Sequence, residues 1–596
     1  MNRINTIANE LLANRNEQGF WDGKLSSSAL GIAVSIIAFH FYNSEQLRSE
    51  IGNGIHWLMA NSNHDGGFGD SPESISNIST SLLCYSALHV TRNQHREAST
   101  TTQKLAAYLK NAGIDVTSEN IAKNILDFYQ KDYTFSVPIL ATCALCGIPE
   151  NDPFKPIPQL PFELALMPRS VYKFLNLSVV SYAIPALVAV GMAIFQQKPS
   201  GLVMKAIRKQ SIPKAMRLLE KITPESGGFL EAIPLTAFVA LSLIKSGYGN
   251  HVVVEKGIDF LKRTQRTDGS WPIDIDLSNW VTTLAVKSFR SEVNHYLDAE
   301  SRLKLTNHLL SIQNKSTHPF NGSSAGGWGW THFTGSVPDG DDTPGAILAL
   351  LNLNQKPSAE VIQSVIAGCD WLLKLQNSDG GFPTFSRGWG KLPFDQSCAD
   401  LTGHAIIAMA TTLDKLNQAI PPAKSKKYQS SIKKAVDYLQ KNQEKDGAWL
   451  PLWFGNQQHQ KQHNPVYGTA RVTAYLNDML CCESISNSLK NNLSSMVEKA
   501  QQFLVSAQNS DGSWGGDIRL SGTIEETSLA ISALANKLEA KPQCELGLQW
   551  LEQQEAPLKA APIGLYFASL WYSEKLYPQV MYMEALMRVK ETILHQ

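Results

Sequence analysis

The chain of 596 residues has no surplus of either charge, since 53 Lys and Arg balance 53 Asp and Glu. Without a bulk positive field it has no electrostatic means of recruiting nucleic acid. Cysteine is sparse, with eight residues in all. Only Cys143-Ala-Leu-Cys146 has a redox- or metal-like spacing, and its apolar setting with no second pair reads as two buried structural thiols. Such usage fits a reducing compartment. The opening Met1-Asn-Arg-Ile4 lacks a basic region, an apolar core and a small-residue cleavage site, so export is not expected. Strand alternation and hairpin signals are scarce as well. What remains is an ordinary globular composition, 43% hydrophobic and 18% charged, on a chain long enough for two to four domains.

What the chain does have is a repeat. An aromatic-Leu pair is followed by Gln five positions after the aromatic, Asp-Gly three after Gln, and Trp or Phe six after Gln. It reads Phe260-Leu261…Gln265…Asp268-Gly269-Ser270-Trp271, then Trp371-Leu372…Gln376…Asp379-Gly380-Gly381-Phe382. It returns as Tyr438-Leu439…Gln443…Asp446-Gly447-Ala448-Trp449 and Phe503-Leu504…Gln508…Asp511-Gly512-Ser513-Trp514. A weaker copy, Trp57-Leu58…Asp65-Gly66-Gly67-Phe68, has Ser62 at the Gln position. The aromatic-Leu pair ends an amphipathic helix, and Asp-Gly supplies a turn whose glycine tolerates positive φ. The Gln amide can bond backbone groups at a neighbouring helix end. Recurrence at fixed spacing predicts helical hairpins stacked into a ring around one core.

Two apolar segments stand out. Residues 174–197 carry no charge and are long enough to span a bilayer. Pro185 interrupts them and no second span supports a crossing, so a buried core helix is the better reading. In 201–222, Lys205, Arg208, Lys209, Lys214, Arg217 and Lys221 interleave with Leu202, Val203, Met204, Ile207, Met216, Leu218 and Leu219. On pattern alone this fits an interfacial helix or an ordinary barrel helix with a solvated face.

The sharpest cluster is Gly326-Gly327-Trp328-Gly329-Trp330 leading to Pro338-Asp339-Gly340-Asp341-Asp342-Thr343. Three carboxylates in four residues repel one another, and a solvated loop is their least costly home. A Ca²⁺ loop would need later ligands and a Glu that are absent. The cluster precedes an apolar helix from about Thr343, where helix capping and chemistry both fit. A second stretch, Leu392-Pro-Phe-Asp395-Gln-Ser-Cys-Ala-Asp400-Leu-Thr-Gly-His404, puts Asp400 and His404 at i, i+4, on one face if helical. His459-x-x-x-His463 has ligand spacing, but its Gln-rich, Pro-flanked context reads as a polar loop.

On the repeats and these motifs the chain resembles the squalene–hopene cyclase family, from Gly19-Phe20-Trp21 to its aromatic-rich C-terminus. The resemblance implies an all-α fold of two α/α-barrels (toroids) with Gln–Trp repeats, of the terpenoid cyclase βγ type. The barrel of residues 15–275 would be inserted into a catalytic barrel of 276–596 plus 1–14. The implied reaction is protonation-initiated, class II cyclisation of a neutral linear polyprenyl substrate, squalene or a prenylated aromatic, to a fused polycycle. It needs no cofactor or metal. Asp341, the middle acid, would be the Brønsted acid, flanked by Asp339 and Asp342. A free Asp, with a pKa of about 3.9, is ionised at neutral pH. Neighbouring carboxylates and a dry cavity raise its proton affinity. A positively charged neighbour then stabilises the carboxylate left after transfer, a part that falls to His404, oriented by Asp400.

The family's cavity-lining positions map onto Tyr182, Trp280, Trp330, Phe385, Trp453 and Tyr566. Aromatic faces stabilise a migrating cation without quenching it, by about 0.5–2 kcal/mol each, and excluded water prevents early termination. The resemblance also makes 201–222 a monotopic membrane contact, placed at the cytoplasmic face, and leaves a homodimer open. Departures are visible: Trp330 and Phe385 stand where Phe and Tyr are usual, Trp280-Val281-Thr282 replaces Trp-Asp-Thr, and Pro562 lies near a C-terminal Phe site. A reshaped cavity favours a prenylated aromatic at least as much as squalene. Other readings fare worse. A copalyl-type diphosphate cyclase would need basic and Mg²⁺-binding groups that the sequence does not show, and a protein prenyltransferase β-subunit would need an Asp/Cys/His zinc site. A non-catalytic helical scaffold would leave three acids beside an aromatic-rich core unexplained.

Overall fold

The computed structural model describes residues 2–116, 121, 125, 133–166, 184–198, 200–385, 393–565 and 570–594. Among the described residues the chain is all-α apart from one short antiparallel pair, Ile563–Leu565 with Leu570–Tyr572, and a few isolated bridges. Two rings of helices account for it, each with its own apolar core.

In the first ring the inner helices are Ala29–Asn43, Ile78–Thr91, Tyr133–Leu145, Ile184–Gln197 and Ile233–Leu243, and the last packs back against the first. In the second they are Ser278–Ser288, Asp342–Leu353, Ala399–Lys415, Pro465–Leu480, Ile524–Leu534 and Tyr577–Leu594, again closing on the first. Inner helices are buried on nearly every side, as Ala29 through Phe39 are without a break, because neighbours flank them and the ring interior faces them. Outer helices are amphipathic: Val252–Thr264 buries Val253, Val254, Ile258, Phe260 and Leu261 and turns its charges outward. The Asn2–Ala13 helix joins the outer layer of the second ring, packing on Tyr577–Leu594.

The repeated turn is the fastener. Gln265, Gln376, Gln443 and Gln508 each donate to the carbonyl of the glycine four residues on, at 2.8–3.1 Å. Each also reaches a carbonyl of the next outer helix: Glu50, Ser431, Met496 and Gln543, at 2.9–3.0 Å. These acceptors sit within helices rather than at free ends, so the amide uses a second lone pair of an already bonded carbonyl. The indole N–H of Trp271, Trp449 and Trp514 donates to the carbonyl of the Leu ten residues earlier, at 2.7–3.0 Å. Gln313 and Trp328 make the same pair of contacts, in a copy too stretched to match the sequence pattern. Gly380 shows why the turn needs glycine: its φ is +94°, and a Cβ there would lie 2.3 Å from the Lys434 carbonyl oxygen.

The uncharged stretch 174–197 is described from Ile184, where it forms a buried helix. Among the described residues no helix is long and apolar enough to cross a membrane. All eight cysteines are free, with Cys143 and Cys146 buried in the first core. His459 and His463 lie in a polar loop, their rings stacked at 5.5 Å and His459 Nε2 3.2 Å from Asp517.

Candidate functional site

A cavity of about 360 Å³ is bounded by both rings, and its wall is overwhelmingly apolar. The acid cluster enters it at the N-terminus of Asp342–Leu353. Asp339 Oδ1 accepts from the backbone N–H of Asp341 at 2.8 Å and of Asp342 at 2.7 Å, capping the helix. Gly340 donates to the Thr384 carbonyl at 2.6 Å and packs so tightly that a Cβ would meet the Pro383 oxygen at 2.4 Å. That contact clamps the loop. With the loop fixed, Asp339, Asp341 and Asp342 all line the cavity.

His404 Nδ1 lies 2.6 Å from Asp341 Oδ1. The two come from different inner helices, 63 residues apart, and adjacency in the ring joins them. The imidazole side chain is 2% exposed, against 18% for Asp341, whose free surface faces the cavity. Asp400, expected to orient His404, instead accepts from the Cys398 thiol, and His404 Nε2 is buried without a partner. Both carboxylate and imidazole lie on one helix face, yet Asp400 bends back to the residue before the helix while the imidazole reaches across to its neighbour.

The surroundings set the charges. Burial pushes Asp339 up, and Asp342 rises through burial together with the negative charge of Asp339 and Asp341. Burial lifts Asp400 to about 6. His404 falls to about 4, chiefly through burial, opposed by Asp341 and assisted by the cations Arg471 and Lys287. At neutral pH its ring is therefore uncharged, not the cation that was expected, because burial outweighs the attraction of Asp341, and it can donate one N–H to the acid.

Sequence reasoning missed those cations and the tyrosine between them. The Tyr475 ring stacks on His404 at 4.7 Å and 7°. Lys287 Nζ stands 4.7 Å from the Tyr475 ring centre, and Arg471 stands 5.0 Å from it and 5.7 Å from that of Trp280. Arg471 is 3% exposed, and among the described residues it forms no carboxylate ion pair. A signal was available: Tyr467, Arg471 and Tyr475 recur every four residues along a helix that is buried almost throughout.

Four of the six expected aromatics line the cavity. Trp280 makes an edge contact with His404 at 6.1 Å and donates to Tyr577 Oη at 3.0 Å. Trp330, Phe385 and Trp453 form a continuous wall, with ring centres 6.1 and 5.7 Å apart, and Phe394 fills it. Tyr182 and Tyr566 lie outside the described residues. Tyr572 and Tyr577 also line the cavity. One metal-like group exists among the described residues, Asp22, Asp276 and His332, within 4.8 Å of one another. Each is already engaged: Asn16 bonds Asp22, Thr331 bonds Asp276, and Ser278 bonds His332. None of the three lines the cavity.

Comparison with known proteins agrees with this geometry. The squalene-hopene cyclase C-terminal domain matches residues 277–558, and the N-terminal domain of the same family matches 4–121, together about two thirds of the chain. Enfumafungin synthase of Hormonema carpetanum is 26% identical over 405 residues, 62% of this chain and 29% of that protein. Squalene–hopene cyclase of Bradyrhizobium diazoefficiens is 27% identical over 198 residues, 32% of this chain and 27% of that one. The alignments thus span less than a third of the length of these curated relatives. In overall fold the chain is similar to ent-copalyl diphosphate synthase from Streptomyces platensis, with TM-score 0.59, 14% identity and 99% coverage of both chains.

Proposed function

Since the chain belongs to the squalene–hopene cyclase family, we propose that it performs class II cyclisation of a neutral linear polyprenyl compound, with Asp341 as the proton donor. The supporting observation is the Asp341 carboxyl projecting into an apolar cavity while His404 Nδ1 holds its inner oxygen at 2.6 Å.

Protonating an isolated alkene leaves a tertiary carbocation and a new carboxylate, and both must be stabilised at the moment of transfer. Asp341 gives its proton from the oxygen facing the cavity. His404, neutral beforehand, donates Nδ1–H to the other oxygen and strengthens that bond as negative charge appears. Arg471 and Lys287, stacked behind Tyr475, supply positive potential without supplying a nucleophile. Burial pushes Asp339 and Asp342 toward their neutral forms, which limits the negative charge beside the carboxylate that the transfer creates. The cation is then handed along the ring faces of Trp280, Trp330, Phe385 and Trp453. The apolar wall keeps water from ending the cascade.

The division into two rings is supported by the two separate cores and the position of Asn2–Ala13, but Phe20 and Trp21 pack in the second core, which favours a first boundary after Trp21 over the expected 15. Monotopic attachment is supported by Leu202 at 87% and Val203 at 74% exposure beside Lys205, on a helix where water would otherwise cover apolar side chains. Replacing Leu202 and Val203 by Ser should cut co-flotation with anionic vesicles several-fold, and equal flotation would remove this attachment site.

The enzymatic reading is tested by incubating the protein with squalene and with a geranylgeranylated quinol, followed by mass spectrometry. A cyclised isomer of one of them is expected, and Asp341→Asn should lower its formation by about three orders of magnitude or more. Near-wild-type turnover by that variant would overturn the assignment.

A further inference from the structure

Behind the acid, four side chains touch in series. His404 holds Asp341 at 2.6 Å, the Tyr475 ring stacks on His404 at 4.7 Å, and Lys287 Nζ stands 4.7 Å from the centre of that ring. The series continues onto the C-terminal helix. Lys287 Nζ lies 3.1 Å from both oxygens of Glu584, and only 16% of the lysine and 5% of the glutamate side chain are exposed. Glu584 also receives Arg588, one turn further along, at 3.0 Å, and Arg588 is tied to Asp478 at 2.7 Å. Asp478 belongs to the same helix as Tyr475 and Arg471. The ladder thus joins three inner helices, Ser278–Ser288, Pro465–Leu480 and Tyr577–Leu594.

The two cations that face the Tyr475 ring differ in kind. Arg471 is a guanidinium and keeps its charge when buried. An ammonium sheds its proton when it loses water and finds no carboxylate. Burial lowers Lys287 to about 8, opposed by Glu584, reinforced by Arg471 and Arg588, and opposed again by Asp478. Glu584, which burial would push up, is held at about 2 by Lys287 and Arg588. The helix Asp342–Leu353 also packs on that of Lys287, but its one ionisable side chain, Asp342, sits beside Asn279 at the other end.

We infer that Glu584 is a positioning residue for the proton transfer: from the C-terminal helix it holds the Lys287 ammonium against the Tyr475 ring, where the charge acts through that ring and His404 on the carboxylate left by Asp341. The inference rests on the cyclase reading above. Lys287 does not line the cavity, so it adds positive potential without offering the migrating cation a nucleophile. Without Glu584, Lys287 would stand between Arg471 and Arg588, where the neutral amine becomes its stable form. A purely structural staple between the two helices would look the same in the fold and behave differently in the reaction.

Initial rates of cyclisation between pH 6 and 9 separate the two, on squalene or the geranylgeranylated quinol, whichever the wild-type protein converts. At pH 7 Lys287→Met should lower the rate about tenfold, the size expected of one buried charge acting over this range, and Glu584→Gln should match it. Lys287→Arg should stay within about twofold of wild type, because the guanidinium restores the cation. Arginine also keeps its charge without a carboxylate, so the loss caused by Glu584→Gln should vanish when Lys287→Arg is already present. The lysine charge is present below its folded value and lost as pH rises through about 8. The rate of Lys287→Arg relative to wild type should therefore grow from about one at pH 7 to several-fold at pH 9. If Glu584→Gln does not fold, that ratio alone decides. A Glu584→Gln loss that persists beside Lys287→Arg, or a ratio that stays flat with pH, makes the pair a staple and overturns the inference while cyclisation stands. Conversion of neither substrate at any pH overturns the cyclase reading and this inference together.

Discussion

The two rings share a construction and differ in what they bury. The five described inner helices of the first ring contain no Asp, Glu, Lys or Arg at all. Each of the six inner helices of the second carries at least one, among them Lys287, Asp342, Asp400, Arg471, Glu525 and Glu584. Burying a charge costs several kcal/mol even after relaxation and water penetration, so the first ring keeps such groups off its described inner helices and confines buried carboxyls such as Asp70 and Glu231 to the turns between them. Some of the second ring's charges are matched: Glu584 bonds Lys287 and Arg588, and Asp478 bonds Arg290 and Arg588. Others are not, with His404 Nε2, Tyr475 Oη and one Glu525 oxygen left without partners. Unpaired buried polar atoms occur in the first ring as well, at Ser35, Ser79 and Glu231, so what distinguishes the second is the placing of ionisable side chains on its inner helices, next to the acid cluster.

This contrast can be broken most decisively at the cavity. His404→Ala should cut cyclisation by about two to three orders of magnitude by leaving the new carboxylate without its donor. Asp70→Asn, on the first-ring side of the same cavity, should lower thermal stability and change turnover only a few-fold. Equal catalytic losses from the two variants would abolish the functional asymmetry between the rings.

The shared construction predicts a smaller effect that should be alike in both rings. Trp271→Ala in the first and Trp514→Ala in the second each delete a fully buried indole and its bond to a helix carbonyl. Each should cost about 3–5 kcal/mol, read by denaturant unfolding. A loss confined to one ring would show that the repeats do not carry equal structural weight.

The smallest effect is a pH dependence. Glu525 is pushed up to about 8 by burial first and by the charge of Glu526 second. Because its folded value lies above the unfolded one, its protonated form stabilises the fold at low pH, and that contribution is lost as pH rises through about 8. Between pH 6 and 9 the Tm of Glu525→Gln should therefore fall less than that of the wild-type protein, by a few degrees. Parallel profiles would mean that Glu525 does not titrate in this window.

Much of this was legible because it is local. The turn around Gly380 or Gly447 needs a glycine, a carboxylate two residues before a backbone N–H and an aromatic at a set distance, and all three fall within a dozen residues. The acid cluster was readable for the same reason, since Asp339 caps the very helix that its neighbours begin. Spacing also placed Asp400 and His404 on one helix face, but could not say which way each side chain would turn. Tertiary structure decided that His404 would meet Asp341 across 63 residues while Asp400 would bond Cys398. It also brought Arg471 and Lys287 to the rings behind the acid. Periodicity specifies an element and its buried face, because backbone geometry repeats with sequence. Which faces come together depends on how the rings close, a condition imposed on all the helices at once.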